Sequence, residues 1–386
     1  MGTKGVLKIA RIGGIDIKLH WSWALILLLV TYQLGAGYFP VMIPDESALF
    51  YWVLGLLASI LFFVSVLLHE LSHSFMARAR GYKVNDIVLF IFGGVSNIDE
   101  EPKKASDEFL IAVVGPLTSL LIAAVCFGLL LIITPPVRRA GAGAAATLQY
   151  LALINALLGL FNMIPGFPLD GGRVLRSIVW GINHNYQTAT RIAGSIGQLV
   201  AYGFIFWGLY QTFFSGDFSG LWIAFIGWFL LNAAQQSVSG VAMKEAFRGA
   251  TVGQAMEAAP PTIQPQSTLA HLLSSYILPY NLRAVPVADQ NGQLVGIITL
   301  GDIKEVPQDQ WGTVTVGELM TGPDKLRVVR PNDGLDKAMQ FLSEGDFDQL
   351  PVVDTTGRLA GILTRAHLIR WLQIRDELHV GTSGAA

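Results

Sequence analysis

The chain has 386 residues, a mass of 41.8 kDa, a formal net charge of −2 and a single cysteine. Apolar residues make up 52% and charged residues only 14%, against about 25% charged in an ordinary soluble domain, and mean hydropathy is +0.50. A wholly soluble globule, a disordered chain and a disulfide scaffold are excluded, since Cys126 has no second cysteine to bridge. The charge balance gives no reason to expect a nucleic-acid partner.

In chain order, six stretches lack Asp, Glu, Lys and Arg: 19–44, 48–69, 109–137, 140–169, 192–216 and 218–243. Each can hold the roughly 20 residues that a helix needs to cross the hydrocarbon core. The fourth is rich in Gly and Ala at its start and interrupted by Pro165 and Pro168 at its end. Residues 1–17 precede the first span as a mixed segment without the pattern of a cleaved signal peptide. Basic residues orient the set. Twelve, from Lys4 through Arg78 and Lys103 to Arg191, fall on one side; Arg138 and Arg139 fall on the other. The expectation is a multi-pass protein of the cell membrane with its N-terminus and C-terminal part in the cytoplasm, and the lipid bilayer as its first partner.

The second span ends in His69-Glu70-Leu71-Ser72-His73. On a helix, positions i and i+4 share a face, so both imidazoles reach one metal ion with the glutamate beside it. Neutral imidazole suits zinc, and a catalytic zinc keeps one position open. The motif lies roughly 8–13 Å inside Arg78 at a helical rise of about 1.5 Å per residue. Ionisable groups at that depth are costly unless they bind something or line a wet cavity. A solvated helix end is the bland alternative. Two histidines leave zinc short of a protein ligand, and Asp170 is the candidate third. It follows Asn162-Met163-Ile164-Pro165-Gly166-Phe167-Pro168-Leu169 and precedes Gly171-Gly172. Prolines that break a helix in a bilayer are tolerated where the freed backbone is buried or wet. Taken alone, Asp170 reads better as an N-cap for the segment Gly171 to Ile182; beside two histidines it reads better as a ligand.

Together these motifs resemble the site-2 protease family of intramembrane zinc metalloproteases. The two signatures are His-Glu-x-x-His and Asn-x-x-Pro…Leu-Asp-Gly, the second present as Asn162, Pro165 and Leu169-Asp170-Gly171. The resemblance covers residues 18–243. It implies a polytopic α-helical membrane domain of about six spans, with His69, His73 and Asp170 as ligands to Zn2+. It further implies Glu70 as the catalytic acid/base and Asn162 as a polar helper near the scissile carbonyl. Membrane-spanning protein substrates, such as membrane-anchored regulators, follow from it too. Between spans two and three, Val84 to Ser96 is an apolar, β-rich run too short to span, turning at Gly93-Gly94. The family carries a re-entrant hairpin or loop here that presents an edge strand to an unwound substrate. After Gly115-Pro116 the family often has an asparagine three residues beyond the proline; this chain has Ser119.

From about Ala250 the composition becomes that of a soluble α/β domain, and the tail repeats at an offset of 64 to 65 residues. Thr251-Val252-Gly253 matches Thr315-Val316-Gly317, and Pro286, Val287, Asp289 and Gly292 match Pro351, Val352, Asp354 and Gly357. Each copy reads as a hairpin flanked by helices. The repeat resembles a tandem pair of cystathionine-β-synthase-type (CBS) modules. The reading is residues 244–250 as linker, 251–310 and 311–375 as the two modules, and 376–386 as a disordered tail. The resemblance implies adenine-nucleotide binding (ATP, ADP or AMP) and a homodimer through the modules. Its ribose contact is a Ser or Thr followed three residues later by Asp, present as Thr299 and Asp302. In the second copy Thr364 is followed by His367, which lacks a carboxylate, so one nucleotide site at most is expected. Asp302 could instead cap the helix that it opens.

The leading reading is an intramembrane zinc endopeptidase with a CBS pair. The competing reading is a CBS-regulated transporter or channel whose polar intramembrane residues line an ion path.

Overall fold

The computed structural model describes residues 5–91, 93–98, 100–133, 141–247, 249–344 and 348–377. Arg138, Arg139 and residues 378–386 of the expected tail lie outside them. The chain divides into two compact units, Met1–Val241 and Ala242–Ala386.

The first unit opens with a hairpin, β1 (Val6–Ile12) and β2 (Ile15–His20), turned by Gly13-Gly14 with φ of +56° and +85°. A two-residue turn with positive φ at both positions matches the strand twist, and glycine adopts it without a Cβ clash. Among the described residues six helices are long and apolar enough to cross a membrane. They are α1 (Ser22–Met42), α2 (Ala48–Ala79), α3 (Ala105–Ile133), α4 (Ala142–Asn162), α6 (Tyr186–Phe214) and α7 (Ser219–Val241); the shorter α5 (Asp170–Asn183) lies between α4 and α6. The N-cap of α2 is Ser47, whose hydroxyl accepts from the Phe50 amide. The helix ends at Arg80 and Gly81, the latter with φ of +90°.

Between α2 and α3 lie β3 (Val84–Phe90) and β4 (Gly93–Ile98). They form an antiparallel hairpin with Phe90 opposite Gly93, as the glycine pair in the sequence suggests. The sequence alone does not show what β3 pairs with on its other side. It runs parallel to β2, with Ile17 opposite Ile87, giving a four-stranded sheet in the order β1-β2-β3-β4. The N-terminal segment is therefore part of this domain. Ile15, Ile17, Ile87 and Leu89 bury one sheet face with Val66, Leu71 and Ala77 of α2 and Ile111 of α3. Asp86 ties three strands together, accepting from Lys18 on β2 and Asn97 on β4. Strands β1 and β4 are the two edges of the sheet.

The proline-broken segment after α4 is stitched to α6. The Phe167 amide donates to Ala193 O at 3.2 Å, which satisfies a backbone group freed from the helix. Helix α5 doubles back onto this segment, and a Cβ at Gly171 or Gly172 would collide with its backbone.

The second unit is a pseudo-symmetric pair. Strands β6 (Ala284–Ala288) and β7 (Leu294–Thr299) form one antiparallel hairpin; β8 (Gln349–Val353) and β9 (Leu359–Thr364) form the other, extended by β5 (Glu257–Ala258). Parallel bridges Ile263 to Val287 and Val329 to Val352 repeat the same geometry. Each hydrophobic core is completed by the opening segment of the other copy. Val316 packs with Val285, Val287 and Ile298, whereas Val252 packs with Leu350, Val352 and Leu363. The exchange extends to the strands: Glu257 pairs with Ile362, and Thr321 with Ile297.

Candidate metal centre

His69 and His73 stand one turn apart on α2, each 4% exposed. The Asp170 carboxylate, at the first residue of α5, arrives from a different part of the chain. Its Oδ2 lies 3.1 Å from Nε2 of His69 and 3.2 Å from Nε2 of His73, and the two Nε2 atoms are 3.2 Å apart. Among the described residues these three form the group that could hold a metal ion. The other nitrogens of both rings are engaged. His73 Nδ1 donates to Ile111 O at 2.6 Å, and His69 Nδ1 is 2.9 Å from Ser119 Oγ. Such contacts fix ring orientation and direct Nε2 toward a metal.

The residues fit zinc. A tetrahedral ion with ligands at about 2.0–2.1 Å has ligand–ligand edges of roughly 3.3–3.4 Å. The three donor atoms form a near-equilateral triangle of 3.1 to 3.2 Å. Space is reserved as well. A Cβ at Gly115 of α3 would collide with Nε2 of His73 and lie 2.8 Å from Nε2 of His69. Converging imidazole lone pairs and a carboxylate oxygen make a site that a cation relieves, and two nitrogens with one oxygen are ordinary zinc donors.

Glu70 follows His69 and turns toward the sheet. Its Oε2 accepts from Ser96 Oγ at 3.1 Å, and Ser96 Oγ in turn accepts from the buried Ser74 Oγ at 3.1 Å. Asn162 closes α4, where its side-chain amide donates to Leu158 O of the same helix at 3.0 Å. Asp170 lies inside the first turn of α5, with Leu169 as the cap residue. A buried ion pair steadies that helix. Arg176 donates to Glu108 of α3, and its guanidinium stacks on the rings of Phe167 and Tyr186. Sequence reasoning missed Ser96, Gly115 and this pair. Gly115 sits directly before Pro116, the one visible signal; Ser96 carried none beyond its place in the apolar run.

In the second unit Thr299 and Asp302 meet as a capping box. The Asp302 carboxylate accepts from the Thr299 amide at 2.8 Å and from its hydroxyl at 2.7 Å. Thr299 also lines a cavity of about 930 Å³ between the hairpins, together with Arg283, Lys304, Arg327, Arg365 and Thr364. His367, in the position equivalent to Asp302, lines it too and lies 3.3 Å from Glu257.

Comparison with known proteins agrees with this architecture. The model of peptidase family M50 matches residues 57–137 and 131–204, and that of the CBS domain matches 252–309 and 316–374. Two relatives named as zinc metalloproteases are similar over nearly their whole length. Rip3 of Mycobacterium tuberculosis is 32% identical, over 96% of this chain and 94% of its own. The Synechocystis protein sll0528 is 35% identical, over 95% of each. A solved site-2 protease from Methanocaldococcus jannaschii is 32% identical, covering 60% of this chain and 95% of its own with a TM-score of 0.42. The chain belongs to peptidase family M50, the site-2 proteases, with a tandem CBS pair at its C-terminal end. It is a multi-pass membrane protein and a zinc metalloendopeptidase, so the reading as a transporter or channel is set aside.

Proposed function

We propose that this protease cuts peptide bonds inside the transmembrane segments of membrane-anchored regulators, in regulated intramembrane proteolysis. The observation that carries the reading is the convergence of Asp170 of α5 on His69 and His73, which stand beside Glu70 on the 32-residue apolar helix α2. His69, His73 and Asp170 are the residues that would hold zinc. Zinc held there would supply Lewis acidity, lowering the pKa of water toward about 7 and polarising a carbonyl oxygen. Glu70 accepts the proton of the attacking water at its carboxylate and returns it to the leaving amide nitrogen. Ser119 and Ile111 O keep the two imidazoles oriented while this occurs. Asn162, by resemblance, donates to the scissile carbonyl as negative charge grows on its oxygen.

A helical substrate has its carbonyls hydrogen-bonded and shielded, so it unwinds first. The edge strand β4 offers backbone partners to the extended segment. The excess of basic residues on one side of the spans supports a cytoplasmic N-terminus and a cytoplasmic CBS pair. The cavity lined by Thr299 and several cations suits an adenine nucleotide, whose binding regulates cleavage. The second unit is also the surface through which a homodimer forms. The central test uses purified protein with a single-span substrate. Glu70→Gln retains stoichiometric zinc and loses cleavage; full activity in that variant overturns the reading.

A further inference from the structure

Strand β4 alternates its side chains. Val95 is 44% exposed and Asn97 faces outward with it, while Ser96 and Ile98 turn toward α2. Two observations connect this inward face to Glu70. First, the hydroxyls form a directed chain: Ser74 donates to Ser96, and Ser96 donates to the Glu70 carboxylate, both at 3.1 Å. Ser74 is fully buried, so its proton has no water to choose instead. Its donation to Ser96 fixes the direction in which the Ser96 hydroxyl gives its own. Second, Gly94 lies directly over the Glu70 side chain. A Cβ there would collide with Cγ of Glu70 and lie 3.0 Å from its Cδ. The glutamate thus has one contact face given by a missing side chain and one hydrogen bond given by a serine, both on the same strand.

We propose that Ser96 is a positioning residue for Glu70, tying the general acid/base to the edge strand that receives substrate. The inference rests on the proteolytic reading above and goes beyond it. A glutamate with three rotatable side-chain bonds has many ways to miss a scissile bond, and one donor at a fixed point on a strand removes most of them. The strand also carries the information that substrate has arrived. A peptide that pairs with the β4 backbone seats Gly94 and Ser96, and Ser96 then holds the carboxylate facing the same bond that the pairing has placed. Binding affinity resides in the β4 backbone and turnover in the Ser96 hydroxyl, so the two separate under mutation.

The test measures kcat, KM and zinc content of the full-length protein in detergent, against a transmembrane substrate, for Ser96→Ala, Ser96→Thr, Gly94→Ala and Glu70→Gln. Ser96→Ala lowers kcat about 10- to 100-fold, the loss expected of one hydrogen bond to a charged group. Its KM stays within about twofold, and zinc stays stoichiometric. Ser96→Thr, which keeps the hydroxyl and suits a strand, restores most of kcat. Gly94→Ala displaces the glutamate and lowers kcat with zinc retained. A wild-type kcat in Ser96→Ala beside an inactive Glu70→Gln overturns the inference alone. So does loss of zinc in Ser96→Ala, or failure of Ser96→Thr to rescue, since either makes the residue merely structural. Wild-type cleavage by Glu70→Gln overturns both the inference and the reading beneath it.

Discussion

Replacing Gly115 with alanine adds one methyl group, and the structure says where that group goes. Its carbon would lie 2.8 Å from Nε2 of His69 and collide outright with Nε2 of His73. An ordinary contact needs 3.4 Å or more, so His69 must retreat by about 0.6 Å and His73 by more. A zinc site tolerates ligand displacements of only about 0.2 Å. Both imidazoles therefore leave bonding geometry together. Disturbing a residue behind a ligand costs about 10- to 100-fold in metal affinity, and displacing two ligands directly costs at least the upper end of that range. The assay is competition for zinc with a chromophoric chelator, on detergent-purified protein, with cleavage measured in parallel. Gly128→Ala, on the same helix with no neighbour within 4 Å of the added carbon, is the control and leaves both readouts unchanged. Stoichiometric, tightly held zinc in Gly115→Ala would show that the two nitrogens do not converge where the structure puts them.

Three further outcomes are expected. Ser119→Ala removes the partner 2.9 Å from His69 Nδ1 and weakens zinc binding by about 10- to 100-fold; unchanged affinity in the chelator competition refutes an orienting role. Arg176→Ala leaves Glu108, with a fully buried side chain, only the more distant Arg173 guanidinium at 4.0 Å, a loss at the lower end of about 3–5 kcal/mol measurable by thermal unfolding; replacing Glu108 and Arg176 with Gln and Met recovers much of it. AMP, ADP or ATP binds the intact protein by calorimetry, and Thr299→Ala weakens that binding. If none of the three nucleotides binds or changes the cleavage rate, the pair is a dimerisation or docking module.

Much of the molecule is legible from composition and spacing because the bilayer allows few solutions. A helix must cross in about 20 apolar residues, so the charge-free stretches marked the spans, the fourth included despite its prolines. The i, i+4 period alone placed His69 and His73 on one face of α2. The tandem repeat declared itself through matched hairpins, because a turn chemistry and a strand period survive as text. What escaped depends on contacts that no local pattern encodes. Strand β2 becomes a strand of this sheet by lying parallel to β3, some 70 residues away along the chain, so residues 1–17 read only as a mixed segment although they hold most of a hairpin of the sheet. The two cores of the C-terminal unit trade their opening segments, with Val252 packed in one and Val316 in the other, so a boundary drawn along the chain cuts through both.

The metal site divides along the same line. The amino-acid sequence by itself determined which atoms are available: two imidazoles one turn apart, a neighbouring carboxylate, and an aspartate set after broken helix. Only the tertiary structure brought Asp170 within 3.1 to 3.2 Å of both rings, cleared the space at Gly115, and laid Ser96 against Glu70. Donor chemistry belongs to the side chain and travels with it. Convergence to a few tenths of an ångström depends on how α2, α3, α5 and β4 pack, and that is fixed by contacts between residues far apart in the chain.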